Sequence, residues 1–221
     1  MMKRKLLSIF ALLCLTVSGA WADNVICTPD DIGKLLGSDG KVYATADLVP
    51  SDVTVSGMIA CVNTTEKWGL VIGPSDVNWN STEGSGLSNI NQAFSACSGY
   101  NRPRPSAATS GWRLPSQGDF ENMIGANGCL SADNLRQLKG RQANSCASDA
   151  HGIWGMQTDD GYWSGTQTTE TSGNFYIFWK EDCSSYFSEG GFTKYVRPIF
   201  NINVTSQEVE YTTCPLVLLG K

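Results

Sequence analysis

Histidine is nearly absent: His151 is the single one among 221 residues. A serine hydrolase triad or a Cys/His zinc site would need this residue. Its surroundings, Asp149-Ala150-His151-Gly152, read instead as a solvated loop. No C-x-x-C occurs, which argues against zinc knuckles and thioredoxin-type redox pairs. The G-x-S-x-G elbow, the phosphate-cradling glycine loop and the EF-hand calcium loop are missing as well. Carboxylate pairs for glycoside cleavage come from distant positions, and no pattern singles one out here. No catalytic residue, metal ligand or cofactor is therefore assigned. Positive charge is also scarce. Lys and Arg number 16 against 21 Asp and Glu, for a net charge of −5, and no basic cluster lies beyond the amino end. Such a chain is a poor partner for nucleic acid or anionic lipid. Past that amino end no apolar run is long enough to span a bilayer.

The amino end is different. Lys3, Arg4 and Lys5 precede an uncharged, largely apolar run from Leu6 to about Val17, and Ala20-Trp21-Ala22 fits the A-x-A cleavage pattern. That order predicts a signal peptide over residues 1–22 and an exported protein in the periplasm, on the cell surface or secreted. Cleavage would remove three basic residues and no acidic one, moving the net charge from −5 to −8. It would also remove Cys14 from the eight cysteines. Seven remain: Cys27, Cys61, Cys97, Cys129, Cys146, Cys183 and Cys214. Exported cysteines are usually paired, and an odd count leaves one over. Cys183, in the polar stretch Glu181 to Ser185, is the expected free thiol, and the other six are disulfide candidates. Two suggested pairings are Cys129–Cys146 and Cys27–Cys214.

Three zones follow. Residues 23–80 form a β-rich region. Lys34-Leu35-Leu36 and Lys41-Val42-Tyr43 flank Gly37-Ser38-Asp39-Gly40 and read as a hairpin. The alternative is a short helix capped at Thr28 and reaching Leu36. Val53 to Val62 and Trp68 to Ile72 read as two more strands. Residues 81–221 form the rest, packed with the first region as one unit. Ile90, Ala93, Phe94 and Cys97 recur at helical spacing. Pro115-Ser116 with Asp119 opens a second helix, and Ser131 or Asp133 a third. Phe175 to Trp179, Tyr195 to Phe200 and Val209 to Leu219 read as strands. The fold class expected from this order is α+β, with small twisted antiparallel sheets flanked by two or three short helices and long loops.

Three motifs then stand in order: Gly111-Trp112-Arg113-Leu114-Pro115-Ser116, Tyr162-Trp163-Ser164-Gly165-Thr166 and Tyr195-Val196-Arg197-Pro198-Ile199. Together they resemble the bacterial exported domains called DUF1566 and the Fibrobacter succinogenes major paralogous domains. The stretch from Asp31 to Thr45 is similar to the leader region of such proteins in gut Bacteroidetes. The resemblance implies a C-type-lectin-like fold, related to the formylglycine-generating enzymes, and implies no particular activity. The calcium-dependent sugar signatures of those lectins are missing, and Trp79-Asn80-Ser81 echoes them only in part. Trp112, Arg113, Pro115, Trp163 and Arg197 are read as structural: large apolar payloads, a helix start, and arginines tied to carbonyls or a carboxylate. Aromatic residues expected in loops are the other feature, since such side chains commonly form binding surfaces. The ligand-binding candidates are Trp79, Trp154, Asp159, Tyr162 and Tyr186. The leading functional expectation is a non-enzymatic binding or adhesion module for a glycan or protein. An enzyme of the formylglycine-generating or hydrolytic type, and a structural subunit of a surface assembly, are the alternatives.

Overall fold

The computed structural model describes residues 24–84, 86–124, 160–169, 173–179 and 184–205. Among them are nine strands and two α-helices. The strands are β1 (Val25–Ile26), β2 (Leu35–Gly37), β3 (Val42–Tyr43), β4 (Val55–Asn63), β5 (Trp68–Ile72), β6 (Tyr162–Gln167), β7 (Asn174–Trp179), β8 (Ser184–Glu189) and β9 (Ile199–Thr205); the helices are α1 (Ile90–Gly99) and α2 (Gln117–Ile124). A six-stranded sheet runs in the order β1-β9-β5-β4-β2-β3, and a three-stranded sheet in the order β6-β7-β8. All neighbours pair antiparallel except β1, which lies parallel to β9.

The expected hairpin forms, with Leu35 opposite Tyr43 and Leu36 opposite Val42. Its turn uses Gly40 at φ +80, a conformation that costs glycine little. Asp39 Oδ1 accepts the Lys41 amide at 3.1 Å. The capping alternative survives as a single 3-10 turn, Pro29–Asp31. β4 is long and almost wholly buried. Along it Met58 and Ala60 contribute to one apolar cluster and Ile59 to the other, until a bulge between Ile59 and Cys61 places Ala60 and Cys61 on the same side. β5 alternates in the same way, Leu70 and Ile72 against Val71. The large sheet is thus covered on both faces. α1 and Trp112 contribute to one cluster, and α2 through Phe120 and Met123 to the other.

These findings correct the expected fold class. The described chain is sheet-rich, and the α+β, C-type-lectin-like arrangement of small sheets flanked by two or three helices does not describe it. Helical periodicity located α1 and α2 well, but backbone pairing elsewhere exceeded what side-chain pattern revealed. Tyr162–Gln167 and Ser184–Glu189 are strands. The strand expected over Tyr195–Phe200 begins at Ile199 and continues to Thr205, because Pro198 carries no amide proton for a ladder. The third helix and the strand over Val209–Leu219 lie outside the described residues. Among the described residues no helix is long and apolar enough to cross a membrane.

The extended run 194–203 joins the pieces. The Lys194 amide donates to Ser88 O, Tyr195 to Gly161 O, Ile199 to Arg113 O and Asn203 to Ala107 O, at 2.9–3.0 Å. In return it accepts from the amides of Val77 and Trp163 at 3.0 Å, and of Gly73 at 2.7 Å. At its centre Arg197, 1% exposed, donates through Nε to Asp76 Oδ1 at 2.7 Å and through Nη1 to Gly73 O at 3.1 Å. Tyr162 donates its hydroxyl to Asp76 Oδ2 at 3.0 Å. One carboxylate therefore ties β6 and the run before β9 to the loop leaving β5. Burial alone would lower the Arg197 pKa, but the Asp76 charge beside it reverses the direction and holds it above its ordinary value.

Removing one member of a buried pair strands the other, which typically costs about 3–5 kcal/mol, whereas one hydrogen bond to a charged group contributes about 1.5–3 kcal/mol. Asp76→Asn should accordingly destabilise the protein more than Tyr162→Phe in urea unfolding at neutral pH. Equal losses, or a loss under about 1 kcal/mol for Asp76→Asn, would show that this pair does not anchor the fold.

Candidate functional site

Directly after Asp76 the chain rises into a narrow loop. Val77 and Glu83 bridge antiparallel at its base, and the Gly84 amide returns to Asp76 O at 2.9 Å. Asn78 closes the tip. Its Oδ1 accepts from the Asn80 amide and the Thr82 hydroxyl, both at 2.9 Å, its amide donates to Thr82 O at 3.0 Å, and its carbonyl accepts from the Ser81 amide at 2.9 Å. Ser81 takes the left-handed conformation, φ +61. The loop leans on the end of α1, where the Ser81 hydroxyl donates to Ser95 O at 3.4 Å. A Cβ at Gly99 would stand 2.4 Å from that hydroxyl oxygen, so a larger residue there would displace the Ser81 side chain. Held on this loop, Trp79 is 59% exposed.

Between the loop, the end of α1 and the residue before β4 lies a groove of about 460 Å³, lined among others by Thr54, Asn80, Thr82, Glu83, Asn101 and Arg102. Its volume falls in the range of about 300–1,000 Å³ usual for small-molecule sites. Arg102 is fixed from three directions. Its Nε donates to Val55 O at 2.5 Å, its Nη1 pairs with Glu83 Oε1, and its carbonyl accepts from Trp112 Nε1 at 2.9 Å. Tyr100 donates its hydroxyl to the same Glu83 Oε1 at 2.5 Å. Burial tends to raise the Glu83 carboxyl, but Tyr100 and Arg102 more than offset it and hold it below the usual carboxylate range. For Tyr100, burial and then the Glu83 hydrogen bond push the phenol well up. The Glu83–Arg102 pair is therefore charged at neutral pH and internally neutralised, while the Glu83 side chain stays 43% exposed.

Other grooves are somewhat larger. One, of about 620 Å³, runs past Ile26, Cys27 and Leu48; another, of about 540 Å³, lies at the start of α1 beside Gly190 and Gly191. Neither adjoins an exposed indole.

The sequence-derived candidates distribute as follows. Trp79 is presented to solvent. Tyr186 is half exposed, on β8, and is far in the chain from the groove residues, whereas Trp79 immediately precedes Asn80 of the groove lining. Tyr162 is not ligand-facing: it is fully buried, with its hydroxyl spent on Asp76. The adjacent aromatic pair explains this, since Tyr162 and Trp163 fall on opposite faces of β6 and each enters an apolar cluster. Trp154 and Asp159 lie outside the described residues. Trp163 is fully buried and donates to Ser88 O at 2.6 Å. Trp112 packs edge-on against Tyr100 and Phe200 at 4.8 and 4.7 Å. Pro115 is buried ahead of α2, and its carbonyl accepts from the Gly165 amide at 2.7 Å. Arg113 makes a two-pronged pair with Asp119, at 2.6 and 3.0 Å, and donates to Asn201 Oδ1 at 2.8 Å. Asp119 also accepts the Ser116 amide and hydroxyl at 2.7 Å, closing the start of α2.

Two cysteine expectations are corrected. Cys27 and Cys97 are not disulfide-bonded but are buried free thiols, so the suggested Cys27–Cys214 pairing fails. Cys97 sits on the buried stripe of α1 with Ile90, Ala93 and Ala96, and both thiols serve as small apolar residues in one cluster. Burial pushes both thiols up to about 12, with the Asp31 charge adding to the effect at Cys27, so neither is a ready nucleophile. Cys61 is disulfide-bonded. Cys129, Cys146, Cys183 and Cys214 lie outside the described residues.

Trp79 was among the sequence-derived candidates; Glu83, Asn101 and Arg102 of the groove were not. The polar run Asn78 to Glu83 was the available signal; the reach from Glu83 to Arg102 was not visible along the chain. Compared with protein-family models and with curated proteins, the chain matches none.

The Asp119 carboxyl feels burial first, which raises it, but Arg113 and Ser116 prevail and hold it below its ordinary value. A carboxyl lowered on folding stabilises fully above its unfolded pKa of about 3.9 and loses that contribution as pH falls through the folded value. Asp119→Asn should therefore lower the unfolding free energy from urea titration at pH 7 by about 2–4 kcal/mol, and the gap to the parent should close below about pH 4. A gap that persists undiminished in acid would contradict the pairing. For the thiols, iodoacetamide at pH 8 should leave Cys27 and Cys97 unmodified in the folded protein and alkylate both in guanidinium. Rapid labelling of either without denaturant would be incompatible with their burial.

Proposed function

We propose that the protein is an exported, non-enzymatic binding or adhesion module whose contact surface is centred on Trp79. The observation that carries this reading is a large indole held 59% exposed on a loop locked by its own hydrogen bonds, next to a polar groove. Exposing that much apolar surface is unfavourable in water, and holding it rigid lowers the entropy lost on binding. Tryptophan is among the side chains most often found at the energetic centre of interfaces. The likeness of the three motifs to exported DUF1566 domains, the signal-peptide pattern of residues 1–22 and the acidic charge support a ligand met outside the cytoplasm, and not a nucleic acid. The two described free thiols, held protonated by burial, lend no support to a thiol-based enzyme.

The test is retention of the folded, secreted protein on a mixed glycan array and on immobilised collagen, fibronectin and laminin. Specific retention on one panel, lost in Trp79→Ala and kept in Phe187→Ala, is the expected result. Phe187 is a suitable control because it is similarly exposed and lies on β8 of the three-stranded sheet, on a different element from the Trp79 loop. Failure of the unmodified protein to bind either panel would refute the reading.

A further inference from the structure

Building on that binding-module reading, we infer that the Trp79 groove takes a neutral saccharide, with the indole as a stacking platform and the groove as its hydrogen-bonding wall. Three features of the site select this chemistry.

Charge comes first. The ionised groups among the groove residues, Glu83 and Arg102, are paired with each other. An anionic ligand would compete with Glu83 for Arg102, and a cationic one with Arg102 for Glu83. Either would break a pair whose arginine side chain is only 18% exposed and is already committed to Val55 O. Leaving a largely desolvated charge without its partner is unfavourable, so an uncharged ligand is preferred.

Hydrogen-bond capacity comes second. The wall mixes both kinds of group: the hydroxyl of Thr54, the amides of Asn80 and Asn101, and the partly exposed Glu83 carboxylate. Such a mixture of donors and acceptors suits hydroxyl groups, each of which donates once and accepts twice. An extended peptide would instead require an unpaired strand edge or an apolar pocket for its side chains, and this wall is a polar mixture of loop ends.

The aromatic comes third. A pyranose presents a face of C–H groups that packs on a flat aromatic ring while its hydroxyls point outward to polar partners. Trp79 does not itself line the groove but directly precedes Asn80, which does, so the platform and the wall belong to one locked loop. Because Glu83 is held ionised below the usual carboxylate range, binding should be flat from neutral pH to about pH 5.

The experiment is calorimetric titration of the purified secreted protein with trimers of glucose (α- and β-linked), xylose, mannose and N-acetylglucosamine, alongside trigalacturonate and a glucosamine trimer as charged counterparts. At least one neutral trimer should bind, and no charged one more tightly. Trp79→Ala should weaken binding about tenfold or more, Trp79→Phe should retain most of it, and Asn101→Ala should weaken it with an unchanged melting temperature. Saturable binding that ignores Trp79→Ala, or binding confined to charged trimers, would overturn the inference. If no trimer binds while a polypeptide panel still retains the protein through Trp79, the saccharide assignment fails and the binding-module reading stands. If neither occurs, both fail.

Discussion

The buried carboxylate of Asp76 is the constraint on which the rest depends. It accepts from Arg197 in the run leading to β9 and from Tyr162 at the start of β6, and it ends the loop that leaves β5. Water is excluded from all of these groups, so each bond is made in a medium where an unmade one is costly. Among the described residues the two sheets share no continuous ladder. This side-chain junction and the bonds of the 194–203 run hold them in register.

The same residue is the root of the exposed loop. Val77 bridges Glu83, six residues further on, and the Gly84 amide returns to Asp76 O, so that within this span the chain has presented Trp79 and returned. A rigid core thereby delivers a rigid surface. The ordering entropy of the loop is met during folding by Asn78 and Ser81, before any ligand arrives. The neighbouring Glu83–Arg102 pair shows a second use of the same economy: each charge satisfies the other, and the groove they line carries polarity without net charge. The motif arginines serve inside. Arg197 is buried with Asp76, and Arg113 clamps Asp119 and Asn201 where α2 begins.

Local elements were largely legible along the chain. The β2–β3 hairpin follows from Gly37-Ser38-Asp39-Gly40, α1 from the spacing of Ile90, Ala93 and Cys97, and the start of α2 from Pro115, Ser116 and Asp119. Failures came where a neighbour distant in sequence decided the matter. Tyr162 looked like an exposed loop aromatic because nothing nearby announces Asp76. Cys27 and Cys97 looked like disulfide partners because export favours pairing, yet each is packed among aliphatic side chains. The fold class was misjudged for a related reason. The loop at 107–113 bridges β9 at Ala108–Ile202 and Arg113–Ile199, and periodicity does not report such pairing.

The sequence by itself determined the acidic balance, the near lack of histidine, the turn and helix starts, and the identity of Trp79 as an aromatic in a polar run. Those depend on residue chemistry and on neighbours within a few positions, where geometry is set by the backbone. Only the tertiary structure decided which arginine meets which acid, that among the described residues Trp112 and Trp163 are core while Trp79 faces water, and that Glu83 and Arg102 form one wall of a groove. Those outcomes require desolvation and contact between residues far apart in the chain, and both arise only when the sheets close on their shared core.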